Sequence, residues 1–257
     1  MYKLNACLMS AVIFAAFLLF FVPVAAAQDV SAEPVVNVTE ETLNEPKGGG
    51  SGPVLIELFS SQACFFCPQA DRLFADLIEQ KHIIGLACHV DYFDVDENAL
   101  SHPFCTARQK FYMERLKAGV PYTPQMVMNG VRDVVGYKFE HINRALGDAE
   151  TRSEIAIERN GEDSYTASFS ALDSESMDLW LAVYDKPQDI TIAEGRNRGN
   201  KVTYYNIVSR IEKTGKWDGT EQTQDIAPAL SEENAGFVLM AQDSETGQVM
   251  AVGHYKR

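Results

Sequence analysis

Two cysteines, Cys64 and Cys67, stand between an apolar run and a segment with helical periodicity. The run Val54–Phe59 predicts a buried strand, and Gln69–Gln80 predicts a helix. A Cys-x-x-Cys at a strand-to-helix junction is typical of thiol–disulfide chemistry, because free N–H groups at a helix N-terminus stabilise a thiolate. We therefore predict that Cys64 attacks a substrate disulfide and that Cys67 resolves the mixed disulfide.

Two other interpretations of this pair stay open: a static local disulfide, and half of a zinc site. A zinc site needs a second close pair of Cys or His ligands. Cys88 and His89 are adjacent on a predicted strand, so they face opposite sides and do not form such a pair. We therefore predict no metal site, and the dithiol chemistry needs no cofactor. Phe65 and Phe66 make the mouth of the site apolar, which suits an exposed hydrophobic peptide.

The first 27 residues have the pattern of a secretory signal peptide. Lys3 gives a positive N-terminus, Ala11–Val24 is almost entirely apolar, and Ala25–Ala27 supplies small residues at a cleavage site. Because the apolar run is short, we expect cleavage and no remaining membrane anchor. The pattern predicts a periplasmic or secreted protein in an oxidising compartment, where disulfides persist.

The charge of the chain bears on its partners. The sequence has 22 basic and 36 acidic residues, a net charge of −14, and loss of residues 1–27 removes one Lys and no acid. Such a surface repels phosphate groups, so nucleic acid and anionic lipid are not expected partners. The expected partners are protein thiols or disulfides of exported proteins, together with a redox partner that the sequence does not identify.

The order of the predicted elements divides the rest of the chain into three parts. Residues 28–53 are polar and end in a Gly-rich stretch, which predicts a flexible leader. Residues 54–150 alternate strands and helices, with a hairpin signal at Asn129, and predict an α/β thioredoxin-like domain. Residues 151–257 show short period-two runs between turn residues, which predict an all-β sandwich-like domain.

Three more residues are candidates for the redox site. Glu57 interrupts the first apolar strand, and a buried carboxylate there would take the proton of Cys67. The alternative is a Glu57 that points out of a half-exposed strand or pairs with a lysine. Thr123 and Pro124 precede the third strand, where thioredoxin-type proteins place a cis proline beside the disulfide and pair the preceding backbone with the substrate. We therefore predict a cis Thr123–Pro124 bond.

His89 and Asp91 close the second strand, and strand ends line the active edge of α/β folds. They are possible accessory residues, but we favour a polar cluster that caps the following loop. Cys88 and Cys105 either form a structural disulfide or remain buried thiols. An oxidising compartment favours the disulfide.

Several motifs share their residues with one protein family. They are Glu57–Cys64, Cys67–Asp71, His89–Asp94, Arg108–Gln109 and Tyr122–Gly130, with weaker matches at Gly195–Gly199, Tyr204 and Asn206. Together they resemble a family of secreted bacterial proteins that have a thioredoxin-like domain and no assigned function. The resemblance implies that the dithiol maps onto Cys64 and Cys67, and it brings no known substrate. The family usually has small residues where Phe65 and Phe66 stand, and Trp where Phe93 stands.

The leading functional hypothesis is an exported thiol–disulfide oxidoreductase that acts on protein thiols through Cys64 and Cys67. A second hypothesis is a protein-binding module without catalytic activity, in which the disulfide is structural. A third is a copper-handling protein, which would need a histidine such as His89 beside the two sulfurs.

Overall fold

The computed structural model describes residues 38–39, 41–47, 52–93, 99–174 and 176–257. The predicted signal peptide, residues 1–27, lies outside the described residues, as does much of the predicted leader, residues 28–53. Within the described part of the chain, no helix has the length and apolar character needed to cross a membrane.

Four strands form the sheet that carries the cysteine motif, in the order β2-β1-β3-β4. They are β1 (Val54–Ser60), β2 (Ile83–His89), β3 (Gln125–Met128) and β4 (Arg132–Val135). Strands β1 and β2 are parallel, and β3 pairs antiparallel with β1 and β4. Asn129 and Gly130 have φ of 49° and 70° in the turn between β3 and β4. The predicted Asn-Gly hairpin is therefore confirmed.

The helices of the described residues lie on the two faces of this sheet. They are α1 (Cys67–Leu77), α2 (Pro103–Leu116) and α3 (Phe139–Asp148). Buried Leu73, Phe74 and Leu77 recur on one side of α1 at helical spacing and pack into the core that α3 also lines. Tyr112 of α2 belongs to a second core on the opposite face.

The C-terminal half of the chain adds ten strands in three further sheets. The strands are β5 (Ser153–Glu154), β6 (Ala156–Arg159), β7 (Tyr165–Phe169), β8 (Met177–Asp185), β9 (Gln188–Thr191), β10 (Lys201–Tyr204), β11 (Val208–Trp217), β12 (Gln222–Ile226), β13 (Asn234–Gln242) and β14 (Val249–Lys256). The largest sheet has the order β11-β8-β13-β14-β5, the second has the order β12-β7-β6, and β9 pairs with β10.

Strands from the C-terminal half complete both cores of the first sheet. Val202 and Tyr204 of β10 pack in the same core as α1. On the other face, Tyr184 of β8 and Val238 of β13 share a core with Phe59 of β1. The apolar strands of the first sheet are therefore covered on both faces by elements that follow residue 150.

The fold class predicted from the sequence, a thioredoxin-like α/β domain followed by an all-β sandwich-like domain, is wrong. The described residues form fourteen strands and three helices, so the structure is mostly β and is divided among four sheets. The described residues between Val38 and Arg257 belong to one compact unit. Local periodicity identifies strands and helices correctly, but it does not show which strands cover which sheet face. Here the strands that cover the first sheet come from beyond residue 150, the predicted end of the first domain.

Candidate thiol redox site

Cys64 and Cys67 lie at the N-terminus of α1, just after β1. The helix begins at Cys67, two residues before the predicted start, with Pro68 in the first turn, where a missing N–H is tolerated. No side chain caps this helix end. Instead, the Cys67 N–H donates to the Cys64 carbonyl oxygen at 3.1 Å, and the backbone N–H groups of Phe66 and Cys67 lower the pKa of the Cys64 thiol. These are the groups that stabilise an anion at a helix N-terminus.

The two thiols have different surroundings. Cys64 keeps 9% of its surface exposed, whereas Cys67 is fully buried, and both are free thiols. A hydrogen bond from Cys67 lowers the pKa of Cys64 to about 6, although burial opposes this shift. The Thr123 side chain also lowers the pKa of Cys64. Burial raises the pKa of Cys67 well above its usual value of 9.0, and the neighbouring Asp71 charge raises it further. At neutral pH the thiolate is therefore on Cys64 and the proton is on Cys67.

Thr123, which precedes Pro124, lies beside Cys64. The Thr123–Pro124 peptide bond is cis. The Cys64 sulfur lies 3.5 Å from the Thr123 carbonyl oxygen and donates a hydrogen bond to it when the thiol is protonated. Gln109 of α2 holds this segment, because its Nε2 donates to the Tyr122 carbonyl at 2.8 Å. The loop before β3 is thus fixed against the cysteine motif.

Glu57 does not lie with the thiols. Successive side chains of a strand point to opposite faces, and Glu57 faces the α2 side of the sheet, whereas Ser60 faces the α1 side. The Glu57 carboxylate accepts hydrogen bonds from Arg108 Nε and Nη2 and from the Tyr112 hydroxyl. The structure therefore places Glu57 in a buried ion pair and does not bring it to Cys67.

His89 and Asp91 lie at the end of β2 and just after it. The His89 ring packs edge-on against Tyr204, with 5.1 Å between centroids. Burial lowers the pKa of His89 to about 3, so the ring is neutral. Asp91 Oδ1 accepts a hydrogen bond from the Thr106 hydroxyl at 2.5 Å, which anchors the chain beside α2. Among the residues that the structure describes, no group of three or more His, Cys, Asp or Glu is arranged to hold a metal ion.

Cys88 and Cys105 form a disulfide between β2 and α2. Cys88 precedes His89 on the strand, so the two side chains point to opposite faces. The disulfide therefore lies on the α2 face, and the free thiols lie at the start of α1. Of the two interpretations offered for Cys88 and Cys105, the structure supports the disulfide.

Asp71 is a site residue that the sequence analysis missed. It follows Cys67 by one turn on the buried side of α1 and is 4% exposed. Burial raises the pKa of Asp71 to about 8. The signal was present in the sequence, because Asp71 is an acid among the apolar positions of an amphipathic helix. It stands four residues after a cysteine, on the same helix face.

Asn197, in the loop between β9 and β10, holds the cysteine loop. Its Nδ2 donates to the Cys64 carbonyl at 2.6 Å and to the Gln62 carbonyl at 2.9 Å. Asn197 is 3% exposed. Nothing in the residues around Asn197 shows that it meets a segment 133 positions away.

Four exposed aromatic side chains and one half-buried one, Tyr137, lie near Cys64. We call them the aromatic rim: Phe65, Phe66, Tyr92, Phe93 and Tyr137. Phe65 and Phe66 are 44% and 41% exposed, and the Phe66 ring stacks on Tyr137 with 4.7 Å between centroids. The Tyr92 ring lies against Phe93 with 4.9 Å between centroids, and Tyr92 is within electrostatic range of both thiols. The rim presents flat apolar surface next to the Cys64 sulfur.

Two solved structures are similar to this chain. One is protein AGR_C_4864 from Agrobacterium tumefaciens, with 24% identity, a TM-score of 0.69, and coverage of 81% of this chain and 96% of that chain. The other is HBP35 of Porphyromonas gingivalis, with 16% identity, a TM-score of 0.54, and coverage of 82% and 76%. At these identities the likeness shows the fold alone.

The sequence comparisons place the chain in a family. No match to the sequence was found among the curated proteins. The family model described as "Protein of unknown function (DUF1223)" matches residues 55–242, which is most of the chain. The expectation of a family without an assigned function is thereby confirmed. The chain belongs to the DUF1223 family of proteins of unknown function.

Proposed function

We propose that this protein is an exported thiol–disulfide oxidoreductase that acts on protein substrates through Cys64 and Cys67. The observation that carries the proposal is the contrast between two neighbouring thiols at one helix N-terminus. Cys64 reaches the surface with a lowered pKa, and Cys67 is buried with a raised pKa. A thiolate is the attacking species in disulfide exchange, and the protonated Cys67 thiol is placed to resolve the mixed disulfide that forms on Cys64.

The exchange proceeds in two balanced steps. The Cys64 thiolate attacks one sulfur of a substrate disulfide, a mixed disulfide forms, and the other substrate sulfur leaves as a thiolate. Cys67 then attacks Cys64 Sγ, forms the Cys64–Cys67 disulfide and releases the second substrate sulfur. The substrate gains the two electrons that the dithiol loses, and the same steps in reverse oxidise a substrate dithiol.

The surroundings of Cys64 favour extended apolar segments as substrates. The aromatic rim supplies exposed rings on which an apolar side chain can pack. Thr123 contacts Cys64 through its carbonyl, so a peptide bound to the sulfur lies along the backbone before β3. We infer that the substrates are cysteine-containing segments of exported proteins that have not finished folding.

A trapping experiment tests the proposal. The complete chain carrying Cys67→Ser keeps the attacking thiol and loses the resolving one, so mixed disulfides with substrates accumulate. We expect adducts on a non-reducing gel that collapse on addition of reductant. The matched control is the Cys64→Ser/Cys67→Ser double variant, in which the adducts disappear. Adducts that persist in the double variant, or none from a folded single variant, would contradict the proposal.

The reduction potential of the Cys64–Cys67 couple separates catalysis from the binding-module hypothesis. Structural disulfides of secreted proteins have potentials below about −300 mV, whereas catalytic pairs have higher values. We expect a value above that limit, because the lowered pKa of Cys64 stabilises the reduced form. A potential below about −300 mV would favour a structural disulfide and a role in binding alone.

A further inference from the structure

A group of buried polar atoms adjoins Cys67 on the α1 side of the first sheet. We call it the relay pocket: Ser60, Asp71, His89 and Tyr204. Each of these residues is at most 4% exposed. Asp71 Oδ2, His89 Nε2 and Tyr204 OH have no hydrogen-bond partner among the described residues. An unsatisfied buried polar atom destabilises a folded protein, so three such atoms in one place call for a functional explanation.

The four side chains and Cys67 are neighbours. Ser60 and His89 are opposite one another at the ends of paired strands β1 and β2. The Tyr204 ring packs on His89 from β10. The charges of Asp71 and Cys67, when ionised, raise the pKa of the Tyr204 hydroxyl. Ser60 lowers the pKa of both Cys67 and Asp71. Buried polar atoms without a protein partner are commonly bridged by buried water, and a chain of water molecules can carry a proton.

We propose that Asp71 accepts the proton of Cys67 when Cys67 resolves the mixed disulfide, directly or through water in the relay pocket. This inference rests on the proposed function. In the step, the Cys67 S–H bond breaks and its proton passes to the Asp71 carboxylate. The Cys67–Cys64 S–S bond forms as the bond from Cys64 to the substrate sulfur breaks. The substrate leaves with the electron pair as a thiolate and takes a proton from solvent.

The other groups facing Asp71 do not serve as this acceptor. His89 is buried with a pKa near 3 and does not hold a proton at neutral pH, and Tyr204 has a pKa raised by burial and remains protonated. Ser60 has no basic form in this range. Arg72 lies on the exposed side of α1 and lowers the pKa of Asp71, whereas the Cys64 charge raises it. Burial keeps the pKa of Asp71 near 8, close to the range in which a base must work.

Ellman's reagent separates the two thiols in one experiment. The reduced full chain, with the Cys88–Cys105 disulfide intact, releases one coloured thiolate when Cys64 attacks and a second when Cys67 resolves. We expect Asp71→Asn to leave the first release unchanged and to slow the second about 100-fold above pH 8, the low end of what a general base contributes. The matched control is Asp76→Asn, an exposed carboxylate of the same helix, which should resolve at the wild-type rate.

The pH profile of the wild type tests the same inference without a variant. The rate of the second release should rise as Asp71 ionises near pH 8. A flat profile from pH 7 to 9, or an Asp71→Asn protein that resolves at the wild-type rate, would overturn the role of Asp71 and leave the proposed function intact. A wild type that shows the first release but no second would instead overturn the proposed function.

Discussion

Glu57 and Arg108 form a buried ion pair on the face of the first sheet opposite the two thiols. Their side chains are 3% and 6% exposed. Arg108 Nη2 donates to Glu57 Oε1 at 2.9 Å and to the Tyr112 hydroxyl oxygen at 2.8 Å, and its Nη1 reaches Gln242 Oε1 at 3.4 Å. The pair therefore links β1, α2 and β13 and belongs to the structural frame of the molecule rather than to the candidate redox site.

Replacing Glu57 with Gln should destabilise the protein without altering thiol chemistry. The change leaves the Arg108 charge buried and uncompensated, which typically costs about 3–5 kcal/mol. Urea denaturation measures the change in the free energy of unfolding, and alkylation of Cys64 below the transition measures reactivity. Asp148→Asn is the control, because Asp148 pairs with Lys47 and Arg132 at the surface, and it should change stability little. A Glu57→Gln protein of unchanged stability would contradict the frame role.

The position of Glu57 shows what the sequence predicts well and what it does not. The strand over Val54–Phe59 and the dithiol at the helix start follow from apolar pattern and spacing. Which face of the sheet Glu57 points to depends on whether it is one of the alternate strand positions that face α1. Glu57 and Ser60 are three positions apart on one strand, so their side chains point to opposite faces of the sheet. The alternation of side chains along the strand is therefore enough to place Glu57 on the face opposite α1.

Other parts of the site depend on contacts between distant segments. Asn197 reaches the Cys64 carbonyl from the β9–β10 loop, and Tyr204 enters the relay pocket from β10. No local pattern contains this information, because a period-two run predicts a strand and not its neighbours. The same limitation made the predicted fold class wrong, since β10 covers α1 from beyond the predicted domain boundary. Asp71, in contrast, was readable as an acid on an apolar helix face.

Replacing Cys67 with Ala should raise the pKa of Cys64. The hydrogen bond from Cys67 is the largest influence that lowers it, and Ala cannot donate such a bond. Below the pKa, each unit of increase lowers the thiolate fraction about tenfold. The pH dependence of the alkylation rate gives the pKa directly. Cys67→Ser retains a donor and should raise the pKa less. Equal values for wild type and Cys67→Ala would show that the helix N-terminus alone sets the Cys64 pKa.

Replacing Asn197 with Ala should weaken the cysteine loop. The change removes two hydrogen bonds to the carbonyls of Gln62 and Cys64 and leaves those oxygens in a buried setting, at a cost of about 1–3 kcal/mol. We also expect faster alkylation of Cys67, because the loop that covers it opens more often. Denaturation and mass-spectrometric labelling measure the two effects. Thr203→Ala is the control, since it removes an exposed hydrogen bond of the same hairpin and should leave labelling unchanged.

Replacing Asp71 with Asn should stabilise the protein by an amount that grows with pH. The pKa of Asp71 is raised by burial from 3.8 to about 8. The unfolded chain therefore ionises near pH 4, while the folded chain keeps its proton until about pH 8. The contribution of protonated Asp71 to stability is complete below pH 4 and is lost as the pH rises to 8. At 1.36 kcal/mol per pKa unit, the wild type loses on the order of 5 kcal/mol over this range, and Asn does not.

Urea denaturation of the reduced wild type and Asp71→Asn proteins at several pH values gives this difference directly, because the other titrating groups cancel. We expect the stability advantage of Asp71→Asn to rise between pH 4 and pH 8 and then to level off. Asp76→Asn is the matched control on the same helix. Burial raises its pKa in the same direction, but its carboxyl is largely solvated, so its curve should rise far less. A constant difference for Asp71→Asn from pH 4 to pH 9 would mean that Asp71 ionises in the folded protein as it does in the unfolded chain. In that case the carboxylate would already be charged below pH 8, and the pH step expected in the resolution of the mixed disulfide would have no source.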